Sequence, residues 1–241
     1  MMKGKGVKTM CTRFVFRGEK IITGFNFDID LDAWDHRLMI EDTRFYIGIL
    51  RPDGRRHGYH GVHANGNVGT LLYVHGNPAG AYRTGKDCVT IADLTEAFIS
   101  GALSYEETRM LIAHKAVTYA PDATMQAMLS DAEGRTLIIE PGIGWREETN
   151  TPFSLITNYS LLAPTHTAAD IVPGDDRYER AQTLLSSYGS DFSVDDAFAV
   201  LAAVHQQEPW ATRLSFVYSA QAHAVYFCEN SGFAQIKKVM L

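Results

Sequence analysis

From Cys11 to Gly76 the apolar positions fall in short runs, without helical spacing. CTRFVF, KIITGF, RFYIGIL and VGTLLYVHG are rich in β-branched and aromatic residues and are bounded by Gly, Asp or Asn, so each predicts a strand. RPDGRR has the turn chemistry that joins two strands as a hairpin. The period then changes. IADLTEAFISG predicts a helix opened by Thr90 as N-cap, and SYEETRMLIAHK a second, with Ser104 and Glu107 at capping-box spacing. Strands return in AVTYA, TMQAMLSD, RTLIIEP and SLITN, with AEG joining the second and third. DDRYERAQTLLSSYG and SVDDAFAVLAAVH predict two more helices, the latter with Ser193 and Asp196 at its start. LSFVYSA and AVYFCEN close the chain as a hairpin.

Strands in hairpin blocks, rather than strict βαβ alternation, favour antiparallel sheets covered by helices, an α+β class. A four-layer αββα arrangement, two packed and mainly antiparallel sheets between helical layers, is consistent with this order. Periodicity alone does not select it over other α+β folds. The 241 residues contain no repeat and no Pro/Ser-rich linker, so residues 11–241 are expected to form one domain.

Composition removes several function classes. With 28 acidic and 22 basic side chains, a net charge of −6 and no Lys/Arg block, the chain lacks the basic stripe of a nucleic-acid binder. No stretch approaches the roughly 18 apolar residues of a membrane span. MMKGKGVKTM is basic but lacks the apolar segment of a secretory signal, so a cytoplasmic location is expected. The three cysteines, Cys11, Cys88 and Cys228, are odd in number and widely spaced, which argues against a disulfide framework and a zinc knuckle.

Met10-Cys11-Thr12-Arg13 carries the candidate chemistry. A cysteine at a chain terminus holds nucleophile and base in one residue, because its own α-amine titrates near pH 8 and can take the thiol proton. That logic requires residues 1–10 to be absent from the working protein. Translation starting at Met10 is one route, since Lys5-Gly6-Val7 can be encoded by a purine-rich, ribosome-binding-like stretch; self-cleavage of a short propeptide is the other. The plain alternative is a small buried cysteine beside an N-terminal strand, chemically inert.

Four segments, in order, then bear a family resemblance. CTRFVFRGEKIITGFNFDID resembles the opening of the choloylglycine hydrolase family, which includes bile salt hydrolases, penicillin V acylases and acid-ceramidase-like amidases. Gly24, Asn26 and Asp28 match its Gly-Arg-Asn-x-Asp element. HGVHANGN resembles its Gly-x-Asn-x-x-Gly turn, with Gly61 and Gly66 in register and His63 in the Asn slot. LITNYS puts Asn158 in a Thr-Asn element, and DDRYERA puts Arg177 at the start of the following helix.

The resemblance implies the αββα N-terminal-nucleophile hydrolase fold and hydrolysis of a small-molecule linear amide, without cofactor or metal, in a homo-oligomer. It implies that Asp28 holds the Cys11 amine or thiol, and that Asn158 and the backbone N–H of His63 receive the oxyanion. Arg177 would steady the cluster and favour thiolate. Where the family carries an arginine beside the nucleophile, this chain has Phe25. Arg13 shares a strand face with Cys11 and could supply the missing charge. Phe25 and Arg13 are therefore candidate substrate contacts, and Tyr82 joins them as an aromatic that could line a pocket, although core is the commoner place for such a residue.

Other patterns read blandly. DIDLDAWD fails as an EF-hand, since Ala33 stands where Gly is required and Met39 where Glu is required; Asp30, Asp32 and Asp35 read as a solvated acidic turn. His57, His60 and His63 do not share a strand face and cannot converge on a metal without a bend. Trp34, Trp145 and Trp210 read as aromatic core, and Cys88 and Cys228 as structural. Acyl transfer to another amine, a non-catalytic protein on the same fold, and a metal-dependent hydrolase remain as alternatives.

Overall fold

The computed structural model describes residues 10–30, 34–164 and 175–241. The N-terminal alternation becomes a hairpin of β1 (Thr12–Arg17) and β2 (Ile21–Asp28). Phe14 and Phe16 point to one face of β1, and Cys11 and Val15 join the core on the other. The strands that follow are β3 (His36–Glu41), β4 (Arg44–Leu50), β5 (Arg56–His63), β6 (Val68–Tyr73) and β7 (Cys88–Thr90). Two helices come next, α1 (Ile91–Ile99) and α2 (Tyr105–His114). Then come β8 (Ala116–Thr118), β9 (Met125–Ser130), β10 (Thr136–Glu140), β11 (Gly144–Glu148) and β12 (Phe153–Ile156). Helices α3 (Arg177–Ser187) and α4 (Val194–Ala203) precede β13 (Thr212–Ser219), β14 (Ala224–Glu229) and β15 (Lys237–Met240).

These strands form two large antiparallel sheets, in the orders β12-β1-β2-β13-β14-β15 and β11-β10-β9-β6-β5-β4-β3. A small parallel pair, β7 and β8, stands apart. The sheets face one another across an aromatic layer in which Phe45 of the second sheet meets Phe216 and Phe227 of the first at 5.6 and 5.2 Å. Burying rings of this size is the main stabilising term for such a sandwich. Helices α3 and α4 cover the first sheet, where Asn26 Nδ2 donates to Leu201 O at 2.9 Å. Helices α1 and α2 lie on the second sheet's side. A Cβ on Gly69 would stand 2.6 Å from Ile99 Cγ2, so α1 packs as closely as it does only over a glycine. The layering is αββα.

The cap signals form as bonds. Thr90 Oγ1 accepts from Asp93 N at 3.0 Å, and Ser104 with Glu107 and Ser193 with Asp196 make reciprocal capping boxes. RPDGRR joins β4 to β5. Five strands escape the pattern reading, among them the three-residue β7, too short to show a period. β3, β11 and β15 lie at sheet edges and carry charged or exposed side chains, which hides the alternation. β5 hides it differently: a Cβ on Gly61 would lie 2.6 Å from Tyr46 Cβ, so glycine replaces an apolar side chain.

Candidate active site

Strand pairing brings the first candidate residues together. The β1–β12 register pairs Arg13 with Ile156, and one alternation further Cys11 stands opposite Asn158. There Cys11 N donates to Asn158 Oδ1 at 2.7 Å. On the other side, β2 carries Asp28 alongside: Met10 N donates to Asp28 O at 3.0 Å, and Cys11 Sγ lies 3.9 Å from the same oxygen.

Arg177, the first residue of α3, ties these groups to each other from the helical side. Its Nη1 donates to Cys11 O at 3.0 Å and to Asp28 Oδ2 at 3.4 Å. Its Nη2 donates to Asn158 Oδ1 at 3.0 Å and to Asp175 Oδ2 at 2.6 Å, while Nε reaches Asp175 Oδ1 at 2.8 Å. Asp28 Oδ1 accepts from Thr212 Oγ1 at 2.6 Å. The ion pair has a fully buried carboxylate and a guanidinium 1% exposed, so its geometry must compensate for the desolvation of both groups. The five bonds from Arg177 and the Thr212 bond to Asp28 supply that compensation.

Burial dominates the acid–base properties. It pushes the Cys11 thiol far above its usual value; Asp28 pushes the same way, and Arg177 only partly opposes them. Burial also raises Asp28 to about 7, against the pull of Arg177 and the Thr212 hydroxyl. Arg177 itself is raised: burial lowers it, and the bonds to Asp175 and the charge of Asp28 outweigh that. In the chain as it stands Cys11 N is a peptide nitrogen, and the Met10 side chain is 1% exposed with Sδ 3.9 Å from Arg177 Nη2. The thiol is sealed.

The remaining candidates lie elsewhere or act differently. Asn158 Nδ2, the group assigned to an oxyanion, donates to Tyr73 O at 2.8 Å. His63 does not join it. The pairing of Val62 with Val68 sets His63 at the start of β6, whereas Tyr73 is its last residue. The five steps between Val68 and Tyr73 span about 17 Å. The backbone N–H of His63 is bonded to Asn67 O at 2.9 Å in the β5–β6 turn, so it does not serve as an oxyanion donor. Phe25 is fully buried in the core, stacked on His60 with centroids 5.0 Å apart, and does not line a surface a substrate could reach. Arg13 is also fully buried. It donates to Phe14 O and to Ser130 Oγ, its Nε has no partner, and burial first and Arg17 second lower it to about 9. Tyr82 is 46% exposed and borders an open groove.

The histidines on β5 diverge. His57 bonds Glu96 and Asp53, each at 2.8 Å, and His60 lies between Phe25 and Phe27. Asp35 is ion-paired with Arg56 at 2.8 Å rather than simply solvated, and Asp32 lies outside the described residues. Cys88 and Cys228 are buried free thiols. Among the described residues no helix is long and apolar enough to cross a membrane. Sequence reasoning missed Tyr73, Asp175 and Thr212. Asp175 had a signal, two positions before Arg177, but Thr212 is 184 residues from Asp28 and had none.

The sequence matches no protein-family model and no curated protein. Solved structures do match. The chain is similar to a mutant of conjugated bile acid hydrolase from Clostridium perfringens, with TM-score 0.69 and 12% identity over 96% of this chain and 92% of the other. Penicillin V acylase from Agrobacterium tumefaciens aligns with TM-score 0.64 and 16% identity over 91% and 83%. The Caenorhabditis elegans ortholog of N-acylethanolamine-hydrolyzing acid amidase aligns with TM-score 0.60 and 16% identity over 96% and 100%. The chain therefore has the αββα fold of these N-terminal-nucleophile hydrolases.

Proposed function

We propose that the chain, once it begins at Cys11, is a cysteine N-terminal-nucleophile hydrolase that cleaves a linear, non-peptide amide of a small molecule. One observation carries the reading. Cys11 N meets Asn158 Oδ1 at 2.7 Å with Arg177 bonded to both residues, in a fold shared with three amide hydrolases. With residues 1–10 gone, that nitrogen becomes a free amine already oriented by Asn158 Oδ1. Loss of Met10, which is buried with its sulfur beside Arg177, is expected to open the site and to lessen the burial that holds the thiol protonated.

The chemistry then runs in two steps. The amine takes the thiol proton, and the thiolate attacks the amide carbonyl carbon. Negative charge develops on the carbonyl oxygen and is met by Asn158 Nδ2. The tetrahedral intermediate collapses with cleavage of the C–N bond, and the α-ammonium gives its proton to the departing amine. Water, deprotonated by the same amine, then attacks the thioester and releases the carboxylic acid and the free thiol. Arg177 keeps the Cys11 carbonyl, Asp28 and Asn158 in register throughout. A cytoplasmic location belongs to the same reading, since it keeps the thiol reduced.

The deciding experiment compares the intact mass and amidase activity of untagged protein expressed from its own gene. A chain starting at Cys11 that hydrolyses acyl amides, with Cys11→Ala folded and inactive, supports the reading. Full activity in Cys11→Ala refutes it. Phe25 favours a second reading, a non-catalytic protein on this fold: where the resemblance expects an arginine there is a ring stacked on His60. Absence of turnover in a chain starting at Cys11 would favour that reading.

A further inference from the structure

β12 ends at Ile156, and residues 157–164 continue without strand or helix, so no ladder fixes the backbone that carries Asn158. Two side chains of the second sheet fix it instead. Gln126 of β9 is fully buried and donates from Nε2 to Thr157 O at 2.7 Å and to Tyr159 O at 3.3 Å, the carbonyls on either side of Asn158. Two carbonyl partners also define which end of the amide is nitrogen, since an oxygen there would repel both. Glu140 ends β10, is 3% exposed and takes the N–H groups that follow. Its Oε1 accepts from Leu161 N at 2.8 Å and Leu162 N at 3.1 Å, and its Oε2 from the Ser160 hydroxyl. Ser160 Oγ itself accepts from Ala163 N at 2.9 Å.

Strand register makes these contacts converge. Gln126 pairs with Leu72 of β6, and the next β6 residue, Tyr73, offers the carbonyl that accepts from Asn158 Nδ2 at 2.8 Å. Neighbouring positions of the second sheet thus grip Asn158 twice, by its flanking backbone through Gln126 and by its side chain through Tyr73. A carboxylate buried as deeply as Glu140 is costly unless hydrogen bonds replace its hydration, and the three bonds that do so all go to residues 160–162. The course of the chain just after Asn158 is therefore tied to the ends of β9 and β10.

We propose that Gln126 and Glu140 are positioning residues for the amidase reaction, holding the Asn158 backbone so that Nδ2 meets the oxyanion as it forms. The inference rests on the amidase reading and adds to it two residues that act through Asn158. An oxyanion donor works by being in place before charge develops, and a misplacement of about 1 Å costs on the order of 10²-fold in rate. Cys11 N and Arg177 Nη2 orient the Asn158 side chain, but only relative to a backbone that is itself held. Bonds that did no more than stabilise the fold would have a different kinetic signature: their loss would be the same whether or not residue 158 carries an amide.

The test uses the chain starting at Cys11 and a fluorogenic acyl amide, with each variant made in the wild-type and Asn158→Ala backgrounds. Gln126→Met keeps the length of the side chain and removes both donors. It should lower kcat about tenfold or more with KM within about twofold, and should change kcat less than about twofold when residue 158 is already alanine. Glu140→Ala should behave alike. Glu140→Gln keeps an acceptor for Leu161 and Leu162 and should hold kcat within about threefold of wild type. Melting temperatures report the folded state, and where Gln126→Met does not fold, the Glu140 variants decide by the same criterion. Equal losses in both backgrounds, a rise in KM alone, or Glu140→Gln no better than Glu140→Ala overturns the proposal. If no amide is cleaved, the amidase reading fails separately, and the side-chain amide resonances of Asn158, identified by their loss in Asn158→Ala, decide the positioning. Shifted or broadened resonances in both Gln126→Met and Glu140→Ala support it, and resonances unmoved in either overturn it.

Discussion

Cys11 and Asn158, 147 residues apart, stand opposite each other across two antiparallel strands and are joined by a 2.7 Å bond from the cysteine nitrogen to the amide oxygen. Asn158 is thereby engaged at both ends, since its Nδ2 donates to Tyr73 O. Replacing it with alanine leaves a buried N–H and a buried carbonyl short of partners. We expect a loss of about 1–3 kcal/mol in unfolding free energy. In the chain starting at Cys11, kcat should fall about 10²–10³-fold with KM little changed, which steady-state kinetics would check. An unchanged kcat would remove Asn158 from the chemistry.

Arg177 is expected to matter most for stability. Arg177→Met leaves Asp28 and Asp175 buried without their cation and should cost about 3–5 kcal/mol in denaturant unfolding. Combining it with Asp28→Asn should recover part of that loss, because the uncompensated charge is gone. If the two changes simply add, Asp28 and Arg177 are not coupled as the 3.4 Å contact indicates.

His60 should set an acid limb in the stability profile. Burial first, and His36 second, lower its folded-state value to about 3, whereas the unfolded value is near 6.5. The unfolded chain therefore binds the proton first as pH falls. Stability present above about pH 6.5 is lost towards pH 3, at up to about 1.4 kcal/mol per pH unit. His60→Phe should flatten that limb, whatever its effect at neutral pH. A slope unchanged between wild type and variant would rule out His60 as its source.

His63→Ala should leave amidase kcat/KM within about twofold, a change inside the ±0.5 kcal/mol of ordinary surface substitutions. The residue sits in the β5–β6 turn, with its ring packed at Gly101, where a Cβ would lie 2.6 Å from its Cε1. A hundredfold loss would restore it to the site and contradict the register.

Much of this arrangement was legible from residue order. Hairpin alternation in CTRFVF and KIITGF, and caps at Thr90, Ser104 and Ser193, are local signals, because a strand face or an N-cap bond depends on neighbours within a few positions. The short elements around Cys11, Asp28, Asn158 and Arg177 were also recognisable in sequence. Turn similarity misled at His63: a Gly-x-x-x-x-Gly match says that the chain reverses there, and is silent about which end of the sheet the turn occupies. Phe25 and Arg13 misled for a related reason, since neither standing in the family's arginine position nor sharing a strand face with Cys11 makes a side chain accessible.

By itself, then, the sequence determined the helices and most of the strands, their mainly antiparallel class and the residues able to act as nucleophile, anchor and cation. Only the tertiary structure decided that Tyr73, not His63, adjoins Asn158, that Thr212 and Asp175 complete the Asp28–Arg177 cluster, and that Met10 is buried with its sulfur beside Arg177. The physical reason is range. Periodicity and capping are set by neighbours along the chain, whereas accessibility, buried charge and strand register depend on segments more than a hundred residues apart.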